Sequence, residues 1–329
     1  MKYAKLGRTN LEISAVAMGC WAIVDSGTWG PQDEDDAVAA IHASLDAGVT
    51  LFDTAEGYGA GASEALLGRA LRGRRQSAVI ATKVSGRNQR RDDLIEACNR
   101  SLRNLQTDYI DLYQLHWPSR QVPFEETAAA LDHLVEQGKV RVVGVSNFGP
   151  RDLTQLLDLR RVETDQVAYS LLFRAAEFEL LPLCHDNDAG VLCYSPIAEG
   201  LLTGKFARAD DVPPGRARTR HFSSAREQVR HGESGAEAET FDAVDRIREV
   251  ADRAGLPMVH AALAWLLEQH PVAAVIVGAR NADQARQNAA AADVQLSADV
   301  IRELSEATEG LKQTLGANLD PWQSESRIR

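Results

Sequence analysis

The chain has 329 residues, 44% hydrophobic and 25% charged, with a formal net charge of −11. This balance excludes a disordered or fibrous chain, and the acidic excess argues against nucleic acid or an anionic membrane as the main partner. No apolar run reaches the roughly 20 residues that cross a bilayer, and four cysteines without CxxC spacing make neither a disulfide framework nor a metal centre, so a reduced, cytoplasmic globular protein is expected.

In chain order, apolar and β-branched runs at 13–20, 49–53, 78–84, 109–116, 140–146, 164–169, 190–195 and 272–278 read as strands. Between them the apolar period changes to that of a helix. Val38, Ile41 and Leu45 stop at Gly48, and Ser63 stands where an N-cap would precede Leu66, Leu67, Ala70 and Leu71 before Gly73. Leu94, Cys98, Leu102 and Leu105 follow, then Ala128, Leu131, Leu134 and Val135 before Gly138. Pro150 opens a helix carrying Leu153 and Leu157, and Phe178, Leu181 and Cys184 mark the next. Phe241, Val244, Ile247 and Val250 run to Gly255, and Asn281 caps a helix through Ala292. Helical patterns at 259–267 and 297–307 are surplus to the repeat.

Eight alternations without a linker point to one domain over 1–329, a parallel (β/α)8 TIM barrel with an N-terminal β-hairpin and extra C-terminal helices. An irregular segment at 203–235, rich in Arg, Asp, Pro and Gly, follows the seventh strand, where a barrel carries a lid or ligand clamp; a surface loop is the plainer reading. The tail, 311–329, either folds back over the pocket, enters an oligomer contact or frays, and the sequence assigns no oligomeric state.

Function in such barrels sits at the C-terminal ends of strands. Those ends supply Trp21, Asp53, Lys83, His116, Ser146 with Asn147, Gln166, Tyr194 with Ser195, and Gly278 with Arg280. Alone, Asp53 could cap a loop, Lys83 could be a surface lysine and His116 a structural imidazole. At three successive strand ends they form an acid, a base and an imidazole that tune one another, which catalysis requires and packing does not. Tyr58 adds a proton donor, and an adjacent Lys83 ammonium, held charged by Asp53, is expected to lower its pKa from near ~10. Tyr58 would then protonate a carbonyl oxygen oriented by His116, a step that needs a hydride donor.

The stretch from Gly57 to Ala62 also matches the glycine-rich fingerprint of dinucleotide-binding loops. That fingerprint requires an acid about 20 residues on, at the next strand end. Here that strand ends in Lys83, so the glycines are read as a sharp turn past Asp53 that presents Tyr58.

The motifs "LFDTAEGYG", "IATK", "YQLHWP", "GVSNF", "DQVAYS", "YSPIAEGLLTGK" and "GARNADQARQN", in this order over almost the whole chain, resemble the aldo-keto reductase family. The bacterial branch it resembles includes inositol- and sugar-related oxidoreductases and relatives of potassium-channel β-subunits. The resemblance implies a barrel that binds NADP(H), with NAD(H) as an alternative, and reduces a carbonyl compound or oxidises a sugar or polyol. The tetrad would be Asp53, Tyr58, Lys83 and His116. Ser146, Asn147 and Gln166 would hold the nicotinamide carboxamide, and Tyr194 would stack on its ring, with Trp21 and Asp53 also against the cofactor. Ser195, Pro196, Leu202, Gly204 and Lys205 would pass beside the pyrophosphate. Gly278, Arg280, Gln284, Gln287 and Asn288 would form the adenosine site, Arg280 facing a 2′-phosphate. Trp21, Trp29, Trp117 and Phe148 would wall the substrate pocket, and no metal is implied. A nicotinamide-sensing regulatory subunit with vestigial catalysis, and a Schiff-base enzyme using Lys83, are two other readings of the same residues.

Overall fold

Eight parallel strands close into a barrel in the computed structural model, which describes residues 1–329. They are β3 (Val16–Gly19), β4 (Leu51–Asp53), β5 (Val79–Val84), β6 (Ile110–Leu115), β7 (Val140–Ser146), β8 (Thr164–Ala168), β9 (Gly190–Tyr194) and β10 (Val272–Gly278). Each pairs with its sequence neighbours, and β10 pairs with β3 to complete the circle. An antiparallel hairpin, β1 (Tyr3–Lys5) and β2 (Glu12–Ser14), precedes it. The single strand expected at 13–20 is therefore two. Ser14 ends the hairpin, and its hydroxyl accepts from Thr50 N and donates to Val16 O, anchoring the turn at which the barrel strand begins.

The strands bury both faces, as parallel strands covered by helices do, but the two faces differ. Outward residues such as Phe52, Ile80 and Val143 join the large core shared with the helices. Inward residues Leu51, Val79, Ala81, Leu112, Val142 and Leu192 form a second core inside the barrel, closed from below by Leu6 and Ile13 of the hairpin segment. Because side chains alternate along a strand, the next inward positions above this floor are Asp53, Lys83, Gln114, Gly144, Gln166 and Tyr194. The barrel is apolar at its base and polar at its mouth.

The helices are α1 (Glu34–Asp46), α2 (Ala62–Ala70), α3 (Arg91–Leu105), α4 (Phe124–Glu136), α5 (Pro150–Leu157), α6 (Leu180–Asp186), α7 (Glu237–Arg253), α8 (Met258–Leu267), α9 (Ala282–Ala290) and α10 (Ala298–Leu315). Pro150 at the start of α5 and Asn281 at the cap of α9, whose side chain accepts from Gln284 N, are as expected. Ser63 is not a cap. Gly61 precedes α2 with φ 94°, and Ser63 lies inside the first turn, its hydroxyl donating to Cys20 O at 2.7 Å. Phe178 precedes α6 and is exposed, and the last helix runs on to Leu315, so the tail begins at Gly316 instead of 311. No helix is long and apolar enough to cross a membrane.

Candidate active site

Asp53 pairs across the sheet with Ala81, so Lys83 stands one inward position higher and reaches back over the rim. Its ammonium donates to Asp53 Oδ1 at 2.6 Å, Thr54 O at 2.9 Å and Tyr58 Oη at 3.3 Å, which uses all three protons. The other carboxylate oxygen of Asp53 accepts from Gln166 Nε2 at 2.7 Å and Gln114 Nε2 at 3.3 Å. A buried ion pair is tolerable when its remaining lone pairs and protons are satisfied in this way. Burial alone would lower the pKa of Lys83, but the charge and hydrogen bond of Asp53, with Tyr58, outweigh it and hold the lysine above its ordinary value.

Tyr58 is presented by a turn in which Gly59, Ala60 and Gly61 all have positive φ, at 58°, 52° and 94°. Glycine accepts this backbone freely, whereas Ala60 adopts it against its Cβ. The phenol stacks beside Trp21 with ring centroids 6.0 Å apart, and Trp29 meets Trp21 edge-on at 5.5 Å. The expected fall in the pKa of Tyr58 does not occur. Burial raises it, and Lys83, whose charge is already matched by Asp53, opposes this only in part. Tyr58 therefore holds its proton at neutral pH, as an acid must. His116 lies edge-on to Tyr58 at 5.8 Å, and burial, then Lys83, lowers its pKa to about 3, so its imidazole is neutral.

Across the mouth, Tyr194 donates to Asn147 Oδ1 at 2.8 Å, while Asn147 Nδ2 donates to His116 O at 3.0 Å and Ser146 Oγ at 3.1 Å. Ser146 in turn donates to Gln166 O at 2.8 Å. The structure thus brings together Ser146, Asn147 and Gln166, expected on a carboxamide, and Tyr194, expected on its ring, with the side-chain amide nitrogen of Gln166 committed to Asp53 and Gln114. Ser195 and Gly204 turn through φ 49° and 76°, Pro196 and Leu202 are buried between them, and Lys205 is exposed.

At the end of β10, Asn288 Nδ2 donates to Gly278 O, Gln284 Oε1 accepts from Arg280 N, and Gln287 is exposed. The guanidinium of Arg280, expected to face a 2′-phosphate, is engaged by the loop after β3 and keeps two N–H groups unused. It donates to Gln32 Oε1 at 2.6 Å, Trp29 O at 3.0 Å and Pro31 O, latching the loop after β3 to the loop after β10. Phe148 is fully buried and stacks on Phe124, so it offers no surface to a substrate.

Several participants carry no signal in local pattern. Gln114 shares the inward face with His116, and the alternation of "YQLHW" was its only trace. Arg216 and Arg218, from the run "PPGRARTR" in the irregular segment, lie over the rings of Trp29 and Trp21 at 5.3 and 5.6 Å. That segment is anchored rather than loose: Arg220 pairs with Glu233 and donates to Leu315 O, and His221 Nε2 bonds Leu172 O.

Of the three expectations for the tail, folding back is the one observed. Trp322 lies parallel to Tyr194 with centroids 5.9 Å apart and 6.2 Å from Trp117, whose ring also carries the Arg327 guanidinium at 4.0 Å. Arg327 pairs with buried Asp320, and Asp152 N donates to Arg329 O at 2.9 Å.

Comparison with known proteins agrees with this geometry. The family model described as the aldo/keto reductase family matches residues 15–309. "Aldo-keto reductase YhdN" of Bacillus subtilis is 35% identical over 300 residues, 86% of each chain. An Escherichia coli "NADH-specific methylglyoxal reductase" is 33% identical over 335 residues, covering 94% of this chain and all of that one. The crystal structure of an aldo-keto reductase from Klebsiella pneumoniae in complex with NADPH superposes with a TM-score of 0.73 at 30% identity, covering 93% of this chain and 94% of that one. A match over nearly the whole barrel, on a chain whose strand ends assemble an Asp, Tyr, Lys and His at one rim, places this protein in the aldo/keto reductase family.

Proposed function

We propose that the protein interconverts a small carbonyl compound and its alcohol with a nicotinamide dinucleotide, NADP(H) in the first place and NAD(H) as an alternative, and that Tyr58 is the general acid and base. The observation that carries this is the contact of Tyr58 Oη with the Lys83 ammonium at 3.3 Å, beside a neutral His116. The site suits such a cofactor. Arg216 Nε and Arg218 Nε are buried without a partner, and with Lys205 they give an anionic diphosphate three cations beside the loop after β9.

When bound, the reduced nicotinamide supplies a hydride to the carbonyl carbon. Tyr58 delivers its proton to the carbonyl oxygen, and the phenolate left behind faces Lys83, which Asp53 keeps charged. Neutral His116 donates a ring N–H to the same oxygen as negative charge develops there. In the oxidative direction the phenolate of Tyr58 takes the alcohol proton. Of the wall residues Trp21, Trp29 and Trp117, Trp21 stacks beside Tyr58 and meets Trp29 edge-on, and Trp117 follows His116 in the chain; such aromatic faces suit small aldehydes and ketones or a sugar ring face. Methylglyoxal, the substrate named for the Escherichia coli relative, is the first compound to assay.

The test is steady-state absorbance of the nicotinamide band with methylglyoxal and a panel of aldehydes and sugars, wild type against Tyr58→Phe. Loss of the acid is expected to lower turnover by roughly 10²- to 10⁴-fold while cofactor binding persists. Equal turnover in both would remove Tyr58 from the role.

A further inference from the structure

The loop after β9 holds a carboxylate that no hydrogen bond satisfies. Glu199 is 6% exposed, and both of its oxygens are buried without a partner. Its backbone is left-handed at φ 55°, followed by Gly200 at φ 99°. The charges nearest it are Arg216 and Arg218, whose own Nε atoms are also buried and unpartnered. A Cβ on Gly200 would stand 3.4 Å from Lys205 Nζ and 3.8 Å from Arg216 Nη1, so three cations converge on this turn. The other titratable groups on the same cavity are Tyr169, Tyr194 and His221. Burial raises both phenols and lowers His221 to about 4, so all three are neutral near pH 7.

Buried polar atoms are almost always paired. Two arginines whose Nε atoms are buried without a partner match a site for a polyanion, and Glu199, joined to neither by a hydrogen bond, stands beside that site. An ionised carboxylate is the wrong charge for the path of a diphosphate, and a like charge brought alongside favours its protonation. We propose that Glu199 is a proton-linked positioning residue: ionised, it attracts Arg216 and Arg218 by charge without a hydrogen bond, and a dinucleotide's diphosphate takes over the two arginines as Glu199 accepts one proton from solvent. This rests on the cofactor reading above. Burial, opposed by the two arginines, already brings the carboxyl of Glu199 up to about 7, so the proton is gained within the physiological range.

The experiment is isothermal titration of the full chain with NADPH and with NADH at pH 6, 7 and 8, in buffers of different ionisation enthalpy. The wild type is compared with Glu199→Gln and with Glu199→Gly, the second of which also suits the left-handed backbone. Wild type is expected to take up close to one proton per cofactor at pH 8, with affinity about tenfold weaker at pH 8 than at pH 6. Both variants should lose that uptake. The 2′-phosphate of NADPH, with its own pKa near ~6, contributes equally in all three proteins, and NADH lacks it. Binding with a proton count that neither variant changes overturns the role of Glu199 and leaves the cofactor reading standing. A wild type that binds neither dinucleotide at any pH overturns the cofactor reading itself.

Discussion

Replacing Lys83 by methionine tests the central ion pair. The lysine and Asp53 side chains are 1% and 4% exposed, and their contact is 2.6 Å. Methionine fills similar volume but leaves Asp53 Oδ1 without its donor and the carboxylate without its counter-charge. Breaking one side of a buried pair typically costs about 3–5 kcal/mol, a large share of the ~5–15 kcal/mol that stabilises a domain. Urea unfolding followed by tryptophan fluorescence reads this as a lower midpoint with an unchanged slope. Asp53→Asn, made in the same background, removes the stranded charge while the amide oxygen still accepts from Gln166. The double variant is therefore expected to be less destabilised than the sum of the singles by about 1–3 kcal/mol. Turnover reports separately, since without Lys83 the Tyr58 phenolate has no cation to face, and the double variant recovers stability without recovering rate. A single variant within about 1 kcal/mol of wild type, or strict additivity, would refute the reasoning.

Three further outcomes follow from the same geometry. His116, lowered to about 3, binds fewer protons when folded than the unfolded chain does between that value and 6.5; its contribution to stability is complete above pH 6.5 and falls with pH below it, by about 1.4 kcal/mol per unit. Nitrogen NMR of the imidazole checks this: the ring should show no titration between pH 5 and 9, and a midpoint near 6.5 would contradict it. Ala60→Gly relieves the left-handed backbone at φ 52° and is expected to raise the urea midpoint by the equivalent of about 1 kcal/mol, whereas a loss of stability would mean that Ala60 is not strained. Gly68→Ala places a Cβ 2.5 Å from Leu105 O, between α2 and α3, and should cost about 1–3 kcal/mol, seen as a fall in Tm with the activity of the remaining folded enzyme preserved.

The eightfold alternation, the barrel and the residues at its mouth were legible in the sequence because each depends on local rules. A strand shows its faces every second residue, a helix every third or fourth, and the polar residue that ends an apolar strand marks the rim. Asp53, Lys83 and His116 stand out for that reason, and Tyr58 for the turn around it. Tertiary structure alone decided how they are satisfied. Asp53 finds Gln114 and Gln166, residues 61 and 113 positions away, and no periodicity links such partners. It also decided that Lys83 divides its three protons among Asp53, Thr54 O and Tyr58, and that Arg280 latches two loops. Likewise it folded the tail back onto Tyr194 and Trp117, and buried Glu199 within reach of the charges of Arg216 and Arg218. The strand-borne pairs join residues far apart in the chain, and the loop contacts join segments whose own sequences encode no regular period, so both kinds of partner are chosen only when the closed barrel brings the strand ends to one rim.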